Sequence, residues 1–126
     1  MSDTTLGLLL LTGSHERAHY AFTLAAGAAA LDRHVVIFAS NRGCLALMRD
    51  WQGLGDAGRD SIIRRRGVAG LDELRDVAIE FGVVLLACEA GLRAEALDPA
   101  DLLPSVAVAG IATFLHQVGP GQIVTL

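Results

Sequence analysis

The sequence predicts an α/β fold of three layers, with helices on both faces of a mainly parallel sheet and layering of the flavodoxin or Rossmann type. Apolar runs without alternation occupy residues 6–11, 35–39 and 83–87, as is typical of strands buried on both faces. Helical patterns separate these runs, and such alternation is characteristic of parallel α/β sheets. The chain has 126 residues, of which 52% are hydrophobic and 19% charged, so we expect one folded domain over residues 1–126.

The remaining elements follow in chain order. Residues 14–31 form an alanine-rich helical pattern, and residues 71–81 carry an apolar stripe with acids near the start, ended by Gly82. Asp98 and Pro99 begin a short helix. Shorter apolar runs at 106–109 and 123–126 predict two more strands, with a last helix over 110–118. The domain is therefore expected to alternate strands and helices throughout.

The stretch around residues 52–70 gives the weakest signal. It contains five glycines, alternating charges and the run Arg64-Arg65-Arg66. We expect a mobile or partly ordered loop on one side of the sheet. Its arginine run is open to two interpretations, a binding surface for an acidic partner or a solvated loop.

Charge and cysteine content exclude several classes of function. The ten basic residues are all arginine, which excludes Schiff-base lysines and the lysine of a phosphate-binding P-loop. A net charge of −4 argues against nucleic-acid binding. Two cysteines are too few for a disulfide framework or a four-cysteine zinc site. Residues 1–5 lack a basic leader, and no apolar stretch is long enough for a membrane span, so we expect a cytoplasmic protein without membrane contact.

Three polar loops are predicted at one edge of the sheet. In parallel α/β sheets, sites form beyond the carboxyl ends of the strands. The loops 12–15, 40–44 and 88–91 each follow a predicted strand there, and two of them contain the cysteines of the chain. The sequence therefore places its candidate chemistry at this edge.

Cys88 is the main candidate at that edge. It ends the strand over 83–87 and precedes a helical segment with Gly91, where unpaired backbone N–H groups favour a thiolate. Glu89 adds an unfavourable negative charge, and Arg93, one turn further on, offsets it. The alternative is that Cys88 is a small buried apolar residue at a strand end.

Cys44, His15 and the first loop are weaker candidates. Cys44 reaches Cys88 if their strands are neighbours; otherwise it is an incidental thiol on the next helix. His15 and His19 share a helix face, but no further ligand completes a metal set. His15 is either an acid or base at the rim or, as we favour for both histidines, an exposed residue without a role. The loop Thr12-Gly13-Ser14 faintly resembles a flavodoxin-type flavin loop, but is better interpreted as a plain turn with Ser14 as a helix cap.

Residues 82–93, Gly-Val-Val-Leu-Leu-Ala-Cys-Glu-Ala-Gly-Leu-Arg, resemble the strand, cysteine and helix start of the DsrE/TusD (DsrE/DsrF/DsrH) sulfur-relay family. Segment 105–115 resembles that family's later strand, glycine and helix. Segments 9–13 and 122–126 resemble its first and last strands. The resemblance covers most of the chain apart from roughly residues 44–70.

The resemblance implies a five-stranded parallel sheet and a sulfurtransferase-like carrier that holds sulfane sulfur as a persulfide on Cys88. Sulfur donors and acceptors would be partner proteins or low-molecular-weight persulfides, and no cofactor or metal is needed. It also implies a homotrimer, a hexamer or membership of a mixed hexamer. Two alternatives remain at this point, a non-catalytic interaction subunit of the same fold and a flavodoxin-like module that binds a nucleotide or flavin.

Overall fold

The structure, a computed structural model, describes residues 4–126. Residues 1–3, part of the segment 1–5 that is expected to lack a basic leader, lie outside the described residues. None of the helices over residues 4–126 is both long and apolar enough to cross a membrane.

Within residues 4–126, five parallel strands form one sheet in the order β4-β3-β2-β1-β5. The strands are Leu6–Leu10 (β1), Val35–Ala39 (β2), Val84–Cys88 (β3), Ala107–Ala109 (β4) and Gln122–Thr125 (β5). The central strands are the apolar runs, and their side chains are buried on both faces because helices cover both. The predicted α/β fold class is confirmed.

In the described part of the chain, the strands are connected by five α-helices: His15–Ala30 (α1), Arg59–Arg65 (α2), Leu71–Glu80 (α3), Glu89–Ala94 (α4) and Ile111–Val118 (α5). Two short 3-10 helices lie at Asn41–Leu47 and Pro99–Asp101. Local residues fix where two of these helices begin and end. The Asp98 side chain accepts the N–H of Ala100 at the start of the second 3-10 helix, and Gly82, with a φ of 81°, follows the end of α3.

The two faces of the sheet are covered unequally. Helices α1 and α3 and the first 3-10 helix cover one face over a large core that includes Leu8, Phe22 and Ile37. The other face holds a small cluster in which α5 contributes Phe114 and Val118. The second layer is therefore much thinner than the first.

The stretch 52–70 contains more regular structure than its composition predicts. Helix α2 occurs within it, and the side chains of Asp60 and Ile63 are buried. Leu54 also packs into the main core. The composition does not predict this helix, because glycines are frequent in the stretch and only a few apolar residues pack against the core. Mobility of the stretch stays a prediction.

Candidate functional site

The loops that follow β1, β2 and β3 leave the sheet side by side. Leu10 pairs with Ala39, and Ala39 pairs with Ala87, so the three strands end at the same level. The loops 12–15, 40–44 and 88–91 therefore meet at one edge, as expected from a parallel sheet.

Cys88 is the last residue of β3 and the N-cap of α4. Its Sγ accepts a hydrogen bond from the backbone N–H of Gly91 at 3.4 Å. The residue is 9% exposed and belongs to the small cluster with Phe38 and Phe114. The sulfur thus lies on the thinly covered side of the sheet, against the first turn of a helix.

The first turn of α4 packs directly on the loop after β2. A Cβ atom added at Gly91 would lie 2.6 Å from Ser40 Oγ and would overlap the backbone nitrogen of Asn41. Gly43 is confined in the same way, because a Cβ there would overlap the carbonyl of Leu10. Glycine at these two positions lets the three loops approach closely enough to fix the position of Cys88.

The carboxylate of Glu89 pairs with an arginine of the same helix. Arg93 Nη2 donates to Glu89 Oε1 at 2.6 Å, and both side chains are exposed. This pairing, one helical turn apart, offsets the unfavourable carboxylate next to Cys88.

Cys44 lies in the first 3-10 helix and is completely buried. Burial raises the pKa of its thiol to about 11, and the nearby Cys88 and Glu95 charges add to this, while the backbone N–H of Cys88 opposes it. Its Sγ donates to the carbonyl of Ala39 at 3.4 Å. Although β2 and β3 are neighbours, Cys44 belongs to the main core and Cys88 to the small cluster on the other face. Cys44 is therefore a protonated core thiol at neutral pH.

The expectation that His15 and His19 are solvent-exposed is wrong. His15 is completely buried, with Nε2 at 2.8 Å from Asp60 Oδ1, and His19 is 9% exposed, with Nε2 at 2.8 Å from the carbonyl of Ala69. Their rings stack with centroids 5.6 Å apart, so they do share a helix face. The partners that bury them lie 45 and 50 residues later in the chain. Within residues 4–126, no group of three or more His, Cys, Asp or Glu side chains is placed to hold a metal ion.

The loop Thr12-Gly13-Ser14 is occupied by the chain itself. Ser14 Oγ accepts the N–H of Arg17 at 3.2 Å, which supports its interpretation as a helix cap. The N–H of His15 donates to the carbonyl of Gly55 at 2.8 Å, and the N–H of Gly55 donates to Gly13 at 2.7 Å. Because a carbonyl of segment 52–70 already accepts the first N–H of α1, that donor is not free to bind a phosphate at this turn.

Two structurally central residues escaped the sequence analysis, Asp60 and Arg75. Asp60 is the second residue of α2 and lies in a charged segment. The nearby apolar pair Ile62-Ile63 was the signal that this segment packs. Arg75 is 5% exposed and donates to the carbonyls of Ala46 and Met48 at 3.1 and 2.6 Å. It thereby holds the end of the 3-10 helix that carries Cys44.

The chain has the same α/β fold as two solved structures. It superposes on the structure of MTH1491, a protein of unknown function from Methanobacterium thermoautotrophicum, with a TM-score of 0.65, covering 98% of this chain and 100% of that one at 19% identity. The ychN protein of E. coli gives a TM-score of 0.65, with 98% and 99% covered at 10% identity. At these identities the likeness shows the fold alone.

Similarity in sequence is also distant. The uncharacterized protein YrkE of Bacillus subtilis (strain 168) is 24% identical over 147 residues, covering 92% of this chain and 92% of YrkE. No protein-family model matches the sequence.

Proposed function

We propose that the protein is a sulfur carrier that holds sulfane sulfur as a persulfide on Cys88 and passes it to a partner cysteine. The observation that carries the proposal is the position of Cys88 Sγ at the carboxyl edge of the sheet, 3.4 Å from the N–H of Gly91. A backbone N–H at a helix start stabilises negative charge on sulfur. This applies both to the attacking thiolate and to a bound persulfide anion.

The transfer needs only thiol chemistry. The Cys88 thiolate attacks the outer sulfur of a donor persulfide, R–S–SH, and the donor sulfur–sulfur bond breaks as R–S⁻ leaves. The new bond makes Cys88–S–SH. An acceptor thiolate then attacks that outer sulfur, and the Cys88 thiolate leaves. Each exchange breaks one sulfur–sulfur bond and makes another, so no net oxidant is consumed. Donors and acceptors are partner proteins or low-molecular-weight persulfides.

The thin side of the sheet favours assembly with other subunits. Five strands at ~4.8 Å spacing are about twice as wide as one helix of ~10 Å diameter. Besides its buried side, α5 exposes Ile111 and Leu115 at 49% and 51%, and β5 exposes Ile123 at 42%. Exposed apolar surface of this kind marks contact with other proteins. We propose that subunits of a trimer, a hexamer or a mixed hexamer cover this α5 face beside Cys88.

Intact-mass measurement after incubation with glutathione persulfide tests the carrier function. Wild type and Cys44→Ser should each gain about one sulfur, ~32 Da, that dithiothreitol removes, and Cys88→Ser should gain none. Cys44→Ser is the matched control, because it removes the other thiol of the chain. An unchanged gain in Cys88→Ser would refute the assignment of the persulfide to this residue.

A non-catalytic interaction subunit is the second candidate, and the 9% exposure of Cys88 is the observation that favours it. The two candidates differ in the reactivity of the folded protein. A carrier should be alkylated at Cys88 by iodoacetamide without denaturant, whereas an inert subunit should react at Cys88 only after unfolding. Peptide mapping of the alkylated protein distinguishes Cys88 from Cys44.

A further inference from the structure

Helix α2 presents a basic outer face around one exposed apolar side chain. Ile62 is 42% exposed, with Arg59 one turn before it and Arg65 and Arg66 one turn after it. None of these three arginines forms an ion pair within residues 4–126. We call this surface, made of Arg59, Ile62, Arg65 and Arg66, the basic face.

The basic face is held on a fixed support. The Asp60 carboxylate of α2 is bonded to His15 of α1 and to the N–H of Leu71 in α3, each at 2.8 Å. Ile63, on the inner side of the same helix, is 8% exposed. The arginines therefore project from an anchored helix, which lowers the entropy lost when they bind a partner.

Helix α3 presents a surface of the opposite charge. Its outward residues are Asp72, Glu73, Asp76, Ile79 and Glu80, which we call the acidic face. Ile79 is 36% exposed, and Glu73, Asp76 and Glu80 form no ion pair among the described residues. The acidic face thus has the same design as the basic face, one isoleucine among charged groups, with the sign reversed.

We propose that two copies of the chain associate by packing the basic face of one copy against the acidic face of the other. Charge complementarity selects the occupant, because arginine forks pair with carboxylates in two-point contacts and each isoleucine gains an apolar neighbour. A second copy of the chain carries such a complementary surface, its acidic face. The pairing is distinct from the α5 face and does not depend on the proposed sulfur-carrier function.

Alternative occupants fit these observations less well. A nucleic-acid backbone would pair with the arginines but would leave Ile62 without an apolar contact, and the net charge of −4 would oppose its approach. An anionic membrane would meet a helix of only seven residues with a single exposed isoleucine. Neither would explain why Glu73, Asp76 and Glu80 form no ion pair among the described residues.

Charge reversal tests the pairing by sedimentation equilibrium at about 50 mM and about 500 mM NaCl. The α2 variant Arg65→Glu/Arg66→Glu and the α3 variant Asp76→Arg/Glu80→Arg should each weaken self-association about tenfold or more at low salt. An equimolar mixture of the two should regain association, because the α2 variant still has its acidic face and the α3 variant still has its basic face. The control is Arg17→Glu, which changes net charge as much as the single variant Arg65→Glu. Arg65→Glu should weaken self-association, and Arg17→Glu should have no such effect.

Three outcomes would overturn the proposal: a wild type that is monomeric at low salt, variants that associate like wild type, or a mixture that fails to regain association. Intact-mass measurement of persulfide loading on the same variants keeps the two proposals separate. Loading should be unchanged, because neither face contains Cys88.

Site-specific cross-linking identifies the contact directly. The chain contains no lysine, so Arg66→Lys introduces the single side-chain amine. A carbodiimide should join it to Glu73, Asp76 or Glu80 by an amide bond, with loss of water. Mixing isotopically labelled and unlabelled protein shows by mass spectrometry that the bond links two copies. Amide bonds confined to one copy, or formed only with carboxylates elsewhere, would contradict the proposal.

The same reagent on Arg17→Lys provides the control for cross-linking. This variant places the amine on an exposed position of α1 that is not part of the basic face. It should give no bond between copies to the acidic face. Equal yields from the two variants would mean that the reagent reports random collisions, and the proposed pairing would be wrong.

Discussion

His15 Nε2 lies 2.8 Å from Asp60 Oδ1, and the same carboxylate oxygen accepts the N–H of Leu71 at 2.8 Å. One buried carboxylate therefore joins α1, α2 and the first turn of α3. Arg64 Nη1 lies 3.8 Å from the other carboxylate oxygen. This side chain adds to the other attachments of the segment 52–70, which include the buried Leu54 and Ile63 and the hydrogen bonds of Gly55.

Removing the charge of Asp60 should change how stability depends on pH. Burial by itself would raise the pKa of Asp60, but the hydrogen bonds from His15 and Leu71, with the charges of His15 and Arg64, lower it below 3.8. A carboxyl group with a lower pKa in the folded state stabilises the fold above its unfolded pKa, and this stabilisation is lost as pH falls. Asp60→Asn should cost about 1–3 kcal/mol at neutral pH and less at about pH 3.

Urea unfolding of wild type and Asp60→Asn over this pH range checks the prediction. The exposed Asp56→Asn is the matched control, and its stability should follow the wild-type pH profile. If the free energies of unfolding of wild type and Asp60→Asn ran parallel from neutral to acid pH, the carboxylate would not be the acid-sensitive group.

Arg75 should be needed for the stability of the 3-10 helix that carries Cys44. Its guanidinium donates to the carbonyls of Ala46 and Met48 and is 5% exposed. Arg75→Met should leave these buried carbonyls without donors and cost about 2–4 kcal/mol in urea unfolding. Arg65→Met, at an exposed position, should change stability by less than about 0.5 kcal/mol. Equal effects of the two substitutions would contradict the role assigned to Arg75.

Cys44 should make the fold sensitive to alkali. Its pKa rises from 9.0 to about 11 on folding, so the folded state keeps the thiol proton that the unfolded state loses. Stability is unaffected below the unfolded pKa and falls as pH rises through the folded pKa, by about 2–3 kcal/mol in total. Cys44→Ala should remove this slope, whatever its packing cost at neutral pH. Unfolding measured at pH values around 8 and 10 for wild type and variant checks the slope, and equal slopes would contradict the prediction.

The sequence predicts the sheet better than the contacts above it. Strands and the two long helices follow from local patterns: continuous apolar runs for Val35–Ala39, and an amphipathic stripe for Leu71–Glu80. The burial of His15 depends on Asp60, and the packing of the segment 52–70 depends on a few side chains among glycines. Such pairings join residues far apart in the chain, so no local pattern reveals them.

The position of Cys88, by contrast, follows from local rules. A cysteine after a buried strand and before a helical pattern is expected at the carboxyl edge of a parallel sheet. Its exposure and the side of the sheet on which its sulfur lies are not local properties. They depend on strand order and on how α5 covers the second face, which only the tertiary structure defines.

Gly91→Ala should disturb both the geometry of the Cys88 site and the stability of the fold. The new methyl group would lie 2.6 Å from Ser40 Oγ and overlap the nitrogen of Asn41, so the first turn of α4 must move. We expect a loss of about 1–3 kcal/mol in urea unfolding and, because the Gly91 N–H moves away from the sulfur, roughly tenfold slower persulfide loading by intact mass. Gly27→Ala, where a Cβ atom would meet nothing within 4 Å, should stabilise α1 by about 0.5–1 kcal/mol and leave loading unchanged. Loading of Gly91→Ala at the wild-type rate would show that the first turn of α4 does not stabilise the reacting sulfur, because this turn would then have moved without slowing persulfide loading.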